Sequence, residues 1–154
     1  MEEEVYYFMF KLYSKGCQYA LRALAYVVTE RGSERFQIAE ICEKVGIPEP
    51  FTRKVFQDLV QAGFLHAHRG PGGGYSLAES PDRISLLDVI HAVDGEDTFN
   101  HCVLGFEECG SAHPCPMHYR WAEAKSQLLD QLAQDTLQDI ADFAAKRLKN
   151  LPRT

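Results

Sequence analysis

The sequence predicts a mainly α-helical fold that contains one small β-hairpin. Apolar residues recur at steps of three and four along most of the chain, which is the period of amphipathic helices. Two short extended runs flank a tip rich in Gly and Pro at residues 69–74, which is typical of a hairpin. The chain has 154 residues, 45% of them hydrophobic and 25% charged. That size and composition indicate one globular domain, with room for a small appendage.

Three helices are predicted in the first half of the chain. The first covers residues 14–30, where apolar pairs recur at helical spacing. A short amphipathic helix follows over residues 36–46 and closes at Gly46, a residue that tolerates the left-handed conformation of a helix end. The third helix lies within residues 47–63, which open with prolines suited to a turn and a first helical position. Two short helices joined by a tight turn containing Gly form a helix-turn-helix.

A hairpin and a fourth helix are predicted next. Residues 64–70 and 73–79 are the two extended runs, and a hairpin directly after a helix-turn-helix is called a wing. Residues 84–95 then read as a helix, with Ser85 as its cap and Asp88 in the capping-box position. The sequence therefore predicts a winged helix-turn-helix.

One long C-terminal helix is predicted over residues 117–149. Its length would be about 50 Å at 1.5 Å per residue, and its apolar stripe consists of Trp121, Leu128, Leu132, Leu137, Ile140, Ala144 and Leu148. A small domain cannot cover such a stripe, so a partner helix is the expected cover. The predicted organisation is a tail (1–11), a winged helix-turn-helix domain (12–98), a cysteine-rich loop (99–118), a dimerisation helix (117–149) and a second tail (150–154).

The loop carries a candidate metal site. Cys102, Cys109 and Cys115 fall within fourteen residues, and His118 follows at a CxxH spacing. Thiolates and an imidazole on one loop are the ligands of a soft metal centre. A dinuclear or larger iron–sulfur cluster tolerates such wide, uneven gaps, whereas structural zinc more often uses tight CxxC pairs. The spacing therefore predicts a cofactor or sensor site.

The helix-turn-helix and the wing predict an interface for double-stranded DNA. The second helix of such a motif places its N-terminal side chains in the major groove. Arg53 and Gln57 can reach base edges, Thr52 and Lys54 suit phosphates, and Arg69 on the Gly-rich tip can enter a minor groove. The complete predicted interface is Pro48, Glu49, Pro50, Phe51, Thr52, Arg53, Lys54, Gln57, Arg69, Gly70, Pro71 and Gly72. The alternatives are a helical hairpin with only a core role and a nucleotide-phosphate loop, although the Gly-Lys-Ser/Thr of a P-loop is absent.

Composition excludes several other classes. The net charge of −6 argues only weakly against nucleic acid, because affinity depends on where the basic residues lie. Five clustered cysteines argue against a disulfide scaffold and indicate a reducing compartment, so we expect a cytoplasmic protein. No stretch approaches the roughly 20 apolar residues of a membrane span. No Ser/His/Asp set, carboxylate pair or nucleophile motif is present, so we do not expect an enzyme.

Four segments together resemble a known family: SKGCQYALRAL, IAEICEKVGIPEPFTRKVFQDLVQAGFL, RGPGGGYSLAESPDRISLLDVIHAVDG and CPMHYRW. They are similar to the IscR-like winged-helix transcription regulators, from Leu12 to about residue 145. The resemblance implies a homodimer that reads a palindromic operator, with an iron–sulfur cluster on the loop. It favours a 2Fe–2S over a 4Fe–4S cluster, which an aerobically prepared sample can lack. By this resemblance Cys102, Cys109 and Cys115 match the cluster cysteines, and His118 matches the histidine ligand.

Several departures keep alternatives open. The gap between Cys102 and Cys109 is one residue longer than in the family pattern. Arg53 lies where that pattern has an acidic side chain, so the operator sequence does not carry over. In some relatives the fourth ligand is an N-terminal carboxylate of the other subunit. Cys17 or Gln18 lies near that place, beside a one-residue insertion, and Cys17 is an alternative ligand or redox group. The alternatives are a regulator of the same fold with structural zinc, a regulator that senses a small molecule or thiol, and an electron-transfer protein.

Overall fold

The structure is a computed structural model that describes residues 13–100, 102–104, 110 and 112–150, with side chains described as far as residue 147. It confirms the mainly helical fold with one antiparallel hairpin. The elements in chain order are α1 (Lys15–Glu30), α2 (Ile38–Val45), α3 (Glu49–Gln61), β1 (Leu65–His68), β2 (Gly74–Leu77), a 3-10 turn (Pro81–Arg83), α4 (Leu86–Asp94), α5 (His118–Gln134) and α6 (Leu137–Asn150).

Helix α1 lies at the centre of the core and contacts α2, α3, α4 and α6. Its inner face carries small residues, and Ala20, Ala23 and Val27 are completely buried. Small side chains let neighbouring helices approach closely, so four helices can share this one surface. The same core cluster includes the large side chains Phe36 and Phe56.

Local capping signals fix the helix ends as the sequence predicts. Gly46 ends α2 in the left-handed conformation, with φ 74° and its N–H bonded to the Cys42 carbonyl. The Ser85–Asp88 capping box is present at the start of α4, since each side chain accepts a hydrogen bond from the other residue's backbone N–H. Both signals satisfy backbone groups that a helix end would otherwise leave without partners.

The wing is tied to the core through its second strand. Phe36 and Tyr75 exchange two backbone hydrogen bonds, of 2.8 and 2.9 Å, so the free edge of β2 is bridged by the segment just before α2. The Tyr75 ring packs against Phe36 and meets Phe56 edge-on. Gly74 has φ 117°, and a Cβ there would lie 2.4 Å from the Phe36 carbonyl oxygen. Only glycine fits at this position, and the wing therefore has a fixed base.

The long C-terminal helix is interrupted, so the prediction of one continuous helix over 117–149 is wrong. Asp135 has extended dihedral angles (φ −74°, ψ 139°) and ends α5. Thr136 and Asp139 then form a reciprocal cap for α6: the Thr136 N–H donates to the Asp139 carboxylate at 2.9 Å, and the Asp139 N–H donates to the Thr136 hydroxyl at 3.3 Å. A capping box starts a new helix, because its side chains replace the bonds of the preceding turn.

The second of these helices folds back onto the winged domain. The backbone N–H of Leu137 donates to the Ile84 carbonyl at 2.9 Å, and the Leu86 N–H donates to the Asp135 carbonyl at 2.9 Å. Leu137 is 0% exposed and Ala141 2% exposed. Part of the apolar stripe that was expected to need a partner chain is therefore covered within the chain itself. None of the described helices has the length and apolar character needed to span a membrane.

Two glycines of the wing provide a matched test of how its base is fixed. Gly72 (φ 71°) and Gly74 both require positive φ, but a Cβ at Gly72 would meet nothing within 4 Å. We expect Gly72→Ala to lower the free energy of unfolding by about 1 kcal/mol, the cost of the backbone conformation alone. Gly74→Ala should cost at least about 3 kcal/mol, because the Phe36 backbone must also move. Urea denaturation measures both values; equal losses would show that the Phe36 bridge does not hold the wing.

Candidate nucleic-acid interface and cysteine-rich loop

The N-terminal half of α3 presents one polar face to solvent. Pro50, Arg53, Lys54 and Gln57 are all exposed, at helical steps of three and four, opposite the buried side chains of α3. The structure therefore brings together, on a single outward face, three of the residues predicted to reach bases and phosphates: Arg53, Lys54 and Gln57. A guanidinium, an ammonium and an amide on one face are the groups that read base edges and phosphate oxygens.

The guanidinium of Arg53 is held along the helix by Glu49. The two side chains form an i, i+4 ion pair with an N–O distance of 2.5 Å, and they are 48% and 41% exposed. An exposed pair of this kind contributes little to stability. The ion pair instead restricts the geometry, because it holds the Arg53 side chain in a defined rotamer. It also places the Glu49 carboxylate beside Arg53, where the carboxylate can accept a hydrogen bond from a cytosine amino group.

Thr52 does not belong to this face, and the phosphate contact predicted for it is wrong. Its side chain is 0% exposed, and its hydroxyl donates to the Pro48 carbonyl at 2.7 Å. Burial raises the pKa of the Cys42 thiol, which lies close to this hydroxyl. Thr52 therefore supplies a hydrogen bond to the first turn of α3 from the buried side of the helix. Cys42 is a small buried residue, as helix periodicity predicts.

Phe51 connects the start of α3 to the start of α1. Its ring is 47% exposed and meets the ring of Tyr19 edge-on, with centroids 5.9 Å apart. A Cβ at Gly16 would lie 3.0 Å from the Phe51 ring, so a larger residue there would require the Phe51 side chain to shift by a few tenths of an ångström. The first turn of α1 therefore sets the position of the N-terminal end of α3.

The wing presents the predicted residues Arg69, Gly70, Pro71 and Gly72 to solvent, and all four are exposed. The Gly73 N–H donates to the Gly70 carbonyl at 3.0 Å. A Pro-Gly pair at the centre of such a turn, with positive φ at Gly72, is the pattern of a type II turn. The tip is consequently a compact turn that can approach a nucleic-acid backbone closely.

Two residues near the wing were missed by sequence reasoning. The Gln37 amide donates to the Gly73 carbonyl at 2.5 Å and holds the wing to the start of α2. Arg35 is exposed and lies near His68, whose pKa is lowered by desolvation and by the positive charges of Arg35 and His66. No local sequence signal marks either residue, because both act through contacts with a strand more than thirty residues away.

The structure describes three of the four candidate metal ligands. Cys102 is 8% exposed, Cys115 is half-buried, and His118 is the first residue of α5. The His118 N–H donates to the Cys115 carbonyl at 3.0 Å, which places a thiol and an imidazole in one turn at the start of a helix. Cys109 lies outside the described residues. Among the residues that are described, no three His, Cys, Asp or Glu side chains are grouped as metal ligands.

Trp121 lies in the same first turn of α5, three residues after His118. Residues three apart on a helix share a face. Its indole N–H is buried and has no acceptor among the described residues. A buried donor without a partner is uncommon and costs free energy, so this end of the loop is suited to receive a further acceptor.

Cys17, the alternative ligand, is in a different environment. It is 0% exposed in the core, and burial, with a smaller effect from the Asp94 charge, raises the pKa of its thiol to about 12. Metal ligation needs the thiolate. These properties favour packing over ligation for Cys17.

Comparison with known proteins agrees with this geometry. Residues 13–142 match the Rrf2 family, described as an iron-dependent transcriptional regulator. An HTH-type transcriptional regulator of Aquifex aeolicus is 34% identical over 139 residues, which cover 89% of this chain and 96% of that protein. The HTH-type transcriptional regulator IscR of Vibrio vulnificus is 34% identical over 130 residues, which cover 84% of this chain and 76% of IscR.

Solved structures share the fold. CymR, the global cysteine regulator of B. subtilis, superposes with a TM-score of 0.72 at 22% identity, covering 88% of this chain and 98% of CymR. IscR of T. potens superposes with a TM-score of 0.68 at 23% identity, covering 92% of each chain. The family and these relatives are transcription regulators and not enzymes. The chain belongs to the Rrf2 family of transcriptional regulators, and its winged helix-turn-helix is a DNA-binding domain.

Proposed function

We propose that this chain is a cytoplasmic, homodimeric regulator whose binding to a palindromic operator is controlled by an iron–sulfur cluster on the cysteine-rich loop. The ligands are Cys102, Cys109, Cys115 and His118. The observation that carries the proposal is the turn joining Cys115 to His118 at the start of α5. It gathers two soft donors at the junction between the loop and the helix that is expected to meet the partner subunit.

The donor set fits a cluster. Three thiols and one imidazole match the chemistry of iron–sulfur ligation, and a histidine ligand favours the 2Fe–2S type. When bound, the cluster supplies a centre that oxygen, nitric oxide or iron scarcity can alter. The protein supplies the rest: Cys102 is already buried at the start of the loop, and Trp121 holds an unused buried donor near its end.

The dimer contact is proposed on α5. None of the seventeen residues of α5 is buried within the chain, and Tyr119 is 69% exposed. A helix of this length extends about 25 Å, which is enough for a two-helix contact between subunits. The dimer would place two α3 helices about one DNA turn apart on the two half-sites of a palindrome.

Each subunit would read one half-site in two grooves. Helix α3 enters the major groove with Arg53 and Gln57 toward base edges and Lys54 toward a phosphate. The wing approaches the neighbouring minor groove with Arg69, and Arg35 adds a positive charge near its base. The acidic net charge of the chain does not oppose this mode, since the cations concerned are exposed on α3 and near the wing.

A regulator of the same fold that senses a thiol or small molecule, or holds structural zinc, is the second candidate. CymR, which shares the fold, is named as a cysteine regulator. The electron-transfer alternative loses support because the family consists of transcription regulators.

Two substitutions on α3 separate base reading from phosphate contact. We expect Lys54→Ala to weaken binding about equally on all sequences and to lower the slope of log affinity against log salt by about 1. Arg53→Ala should cost about 1–3 kcal/mol on the operator and relax its sequence preference. Fluorescence anisotropy, at several salt concentrations, on DNA from the promoter of the chain's own gene measures both. Arg147→Ala, an exposed residue of α6, is the matched control and should bind as the wild type does.

Ligand assignment is tested by anaerobic reconstitution followed by iron and sulfide assays and an absorption spectrum. Cys102→Ala, Cys109→Ala and Cys115→Ala should lose colour and bound iron, because each removes one thiolate of the cluster. Cys17→Ala and Cys42→Ala remove buried thiols and should keep both. A colourless wild type with one zinc per chain would support the second candidate, and a coloured protein indifferent to operator DNA would contradict the regulator proposal.

A further inference from the structure

We propose that Asp94 is a positioning residue that connects the cysteine-rich loop to the DNA-reading end of α3. The inference rests on the proposed function, since it assumes that the loop changes with the state of its cluster. Asp94 is the last residue of α4, and the segment leading to Cys102 begins directly after it. The side chain of Asp94 reaches the first turn of α1, eighty positions earlier in the chain.

The contact consists of two hydrogen bonds to one residue. The Ser14 backbone N–H donates to one carboxylate oxygen of Asp94 at 2.7 Å, and the Ser14 hydroxyl donates to the other. The Ser14 hydroxyl oxygen, at the N-cap of α1, in turn accepts a hydrogen bond from the Cys17 N–H at 3.1 Å. Asp94 therefore binds the N-cap residue of α1 through both its backbone N–H and its hydroxyl.

The negative charge of Asp94 lies at the C-terminus of α4 and next to the N-terminus of α1. A carboxylate at the C-terminus of α4 is disfavoured by the dipole of its own helix. The N-terminus of α1 compensates, because its N–H groups and dipole favour a negative charge. The carboxylate thus joins the end of one helix to the start of another, and the contact depends on keeping these two ends together.

From α1 the contact continues to the DNA interface. Gly16, two residues after Ser14, packs against the Phe51 ring, and Tyr19 meets the same ring edge-on. Phe51 lies in the first turn of α3, beside the exposed Arg53 and Lys54. A shift of the first turn of α1 would therefore act on the Phe51 ring and, through it, on the end of α3 proposed to enter the major groove.

On the other side of Asp94, the described residues 95–100 form a compact segment. The Asn100 N–H donates to the Asp97 carbonyl at 2.9 Å, and Phe99 is 6% exposed, with its ring 6.5 Å from that of His91. Cys102 is itself 8% exposed. Because residues 97–100 make these contacts and Cys102 is buried, a displacement of Cys102 would be passed toward Asp94. Continuous packing of this kind can carry energetic coupling between two sites.

The experiment compares the operator affinities of the cluster-loaded and cluster-free full-length protein. We expect the two wild-type affinities to differ by about tenfold or more, a typical coupling between sites. In Asp94→Ala the ratio should fall to within about twofold, while iron and sulfide content stay at the wild-type level. Glu96→Ala, which removes an exposed carboxylate two residues away, is the matched control and should keep the full ratio. The ratio is the decisive readout, because a merely structural loss would lower both affinities together.

Asp94→Asn keeps the shape of the side chain and serves if the alanine variant does not fold; it should reduce the ratio in the same direction. A fluorinated phenylalanine at position 51 gives a readout that needs no DNA. Its fluorine NMR resonance should shift on cluster loading in the wild type and should not shift in the Asp94 variants. If an Asp94 variant binds iron and sulfide at the wild-type level and still shows the full affinity ratio and the resonance shift, the inference about Asp94 is wrong while the proposed function stands. A wild type whose affinity ignores the cluster overturns the proposed function and the inference with it.

Discussion

Close packing around α1 is the constraint on which the rest of the structure depends. Four helices contact α1, and they can do so because its buried face consists largely of small residues, three of them alanines, with Gly16 at the first turn. A larger side chain on this face would separate two helices at once, and a well-packed core adjusts to such a change only partly. The reading helix, the helix that leads into the loop and the C-terminal helix therefore share one support, and none can move without altering its contact with α1.

The sequence predicted those parts of the fold whose signals are local. Ser85 with Asp88 and the terminal Gly46 act within a few residues of the helix ends they define, and both were found as expected. The break at Asp135 has an equally local signal in Thr136 and Asp139, but the apolar stripe continues across it and pointed to one helix. The stripe continues because its second part faces the chain's own core, a tertiary fact that periodicity does not reveal.

The same distinction applies to the candidate site. Exposure of Pro50, Arg53, Lys54 and Gln57 follows from helix period once Val55 and Leu59 are taken as buried, so this face was predictable. Thr52 lies three residues before Val55 and seven before Leu59, so the same period places it on the buried face; its predicted phosphate contact came from the chemistry of its hydroxyl and not from its place on the helix. The contact between Ser14 and Asp94 joins residues eighty positions apart, and no pattern in a single sequence indicates such a pair. The roles of Cys102, Cys109, Cys115 and His118 remain predictions, with Cys109 beyond the described residues.

The interruption of the C-terminal helix changes what a rearranged loop can do. A single helix over 117–149 would move as a rod, and its far end could swing without touching the winged domain. As it is, α5 begins at the loop and ends at Asp135, where the Leu86 N–H bonds the chain back to the start of α4. Helix α4 then ends at Asp94, on the cap of α1. Among the described residues, the C-terminal end of α5 is therefore bonded to the start of α4, and the C-terminal end of α4 is bonded to the cap of α1. Under the proposed coupling, a displacement at Cys102 would act on this series of contacts, which ends at the helix against which Phe51 packs.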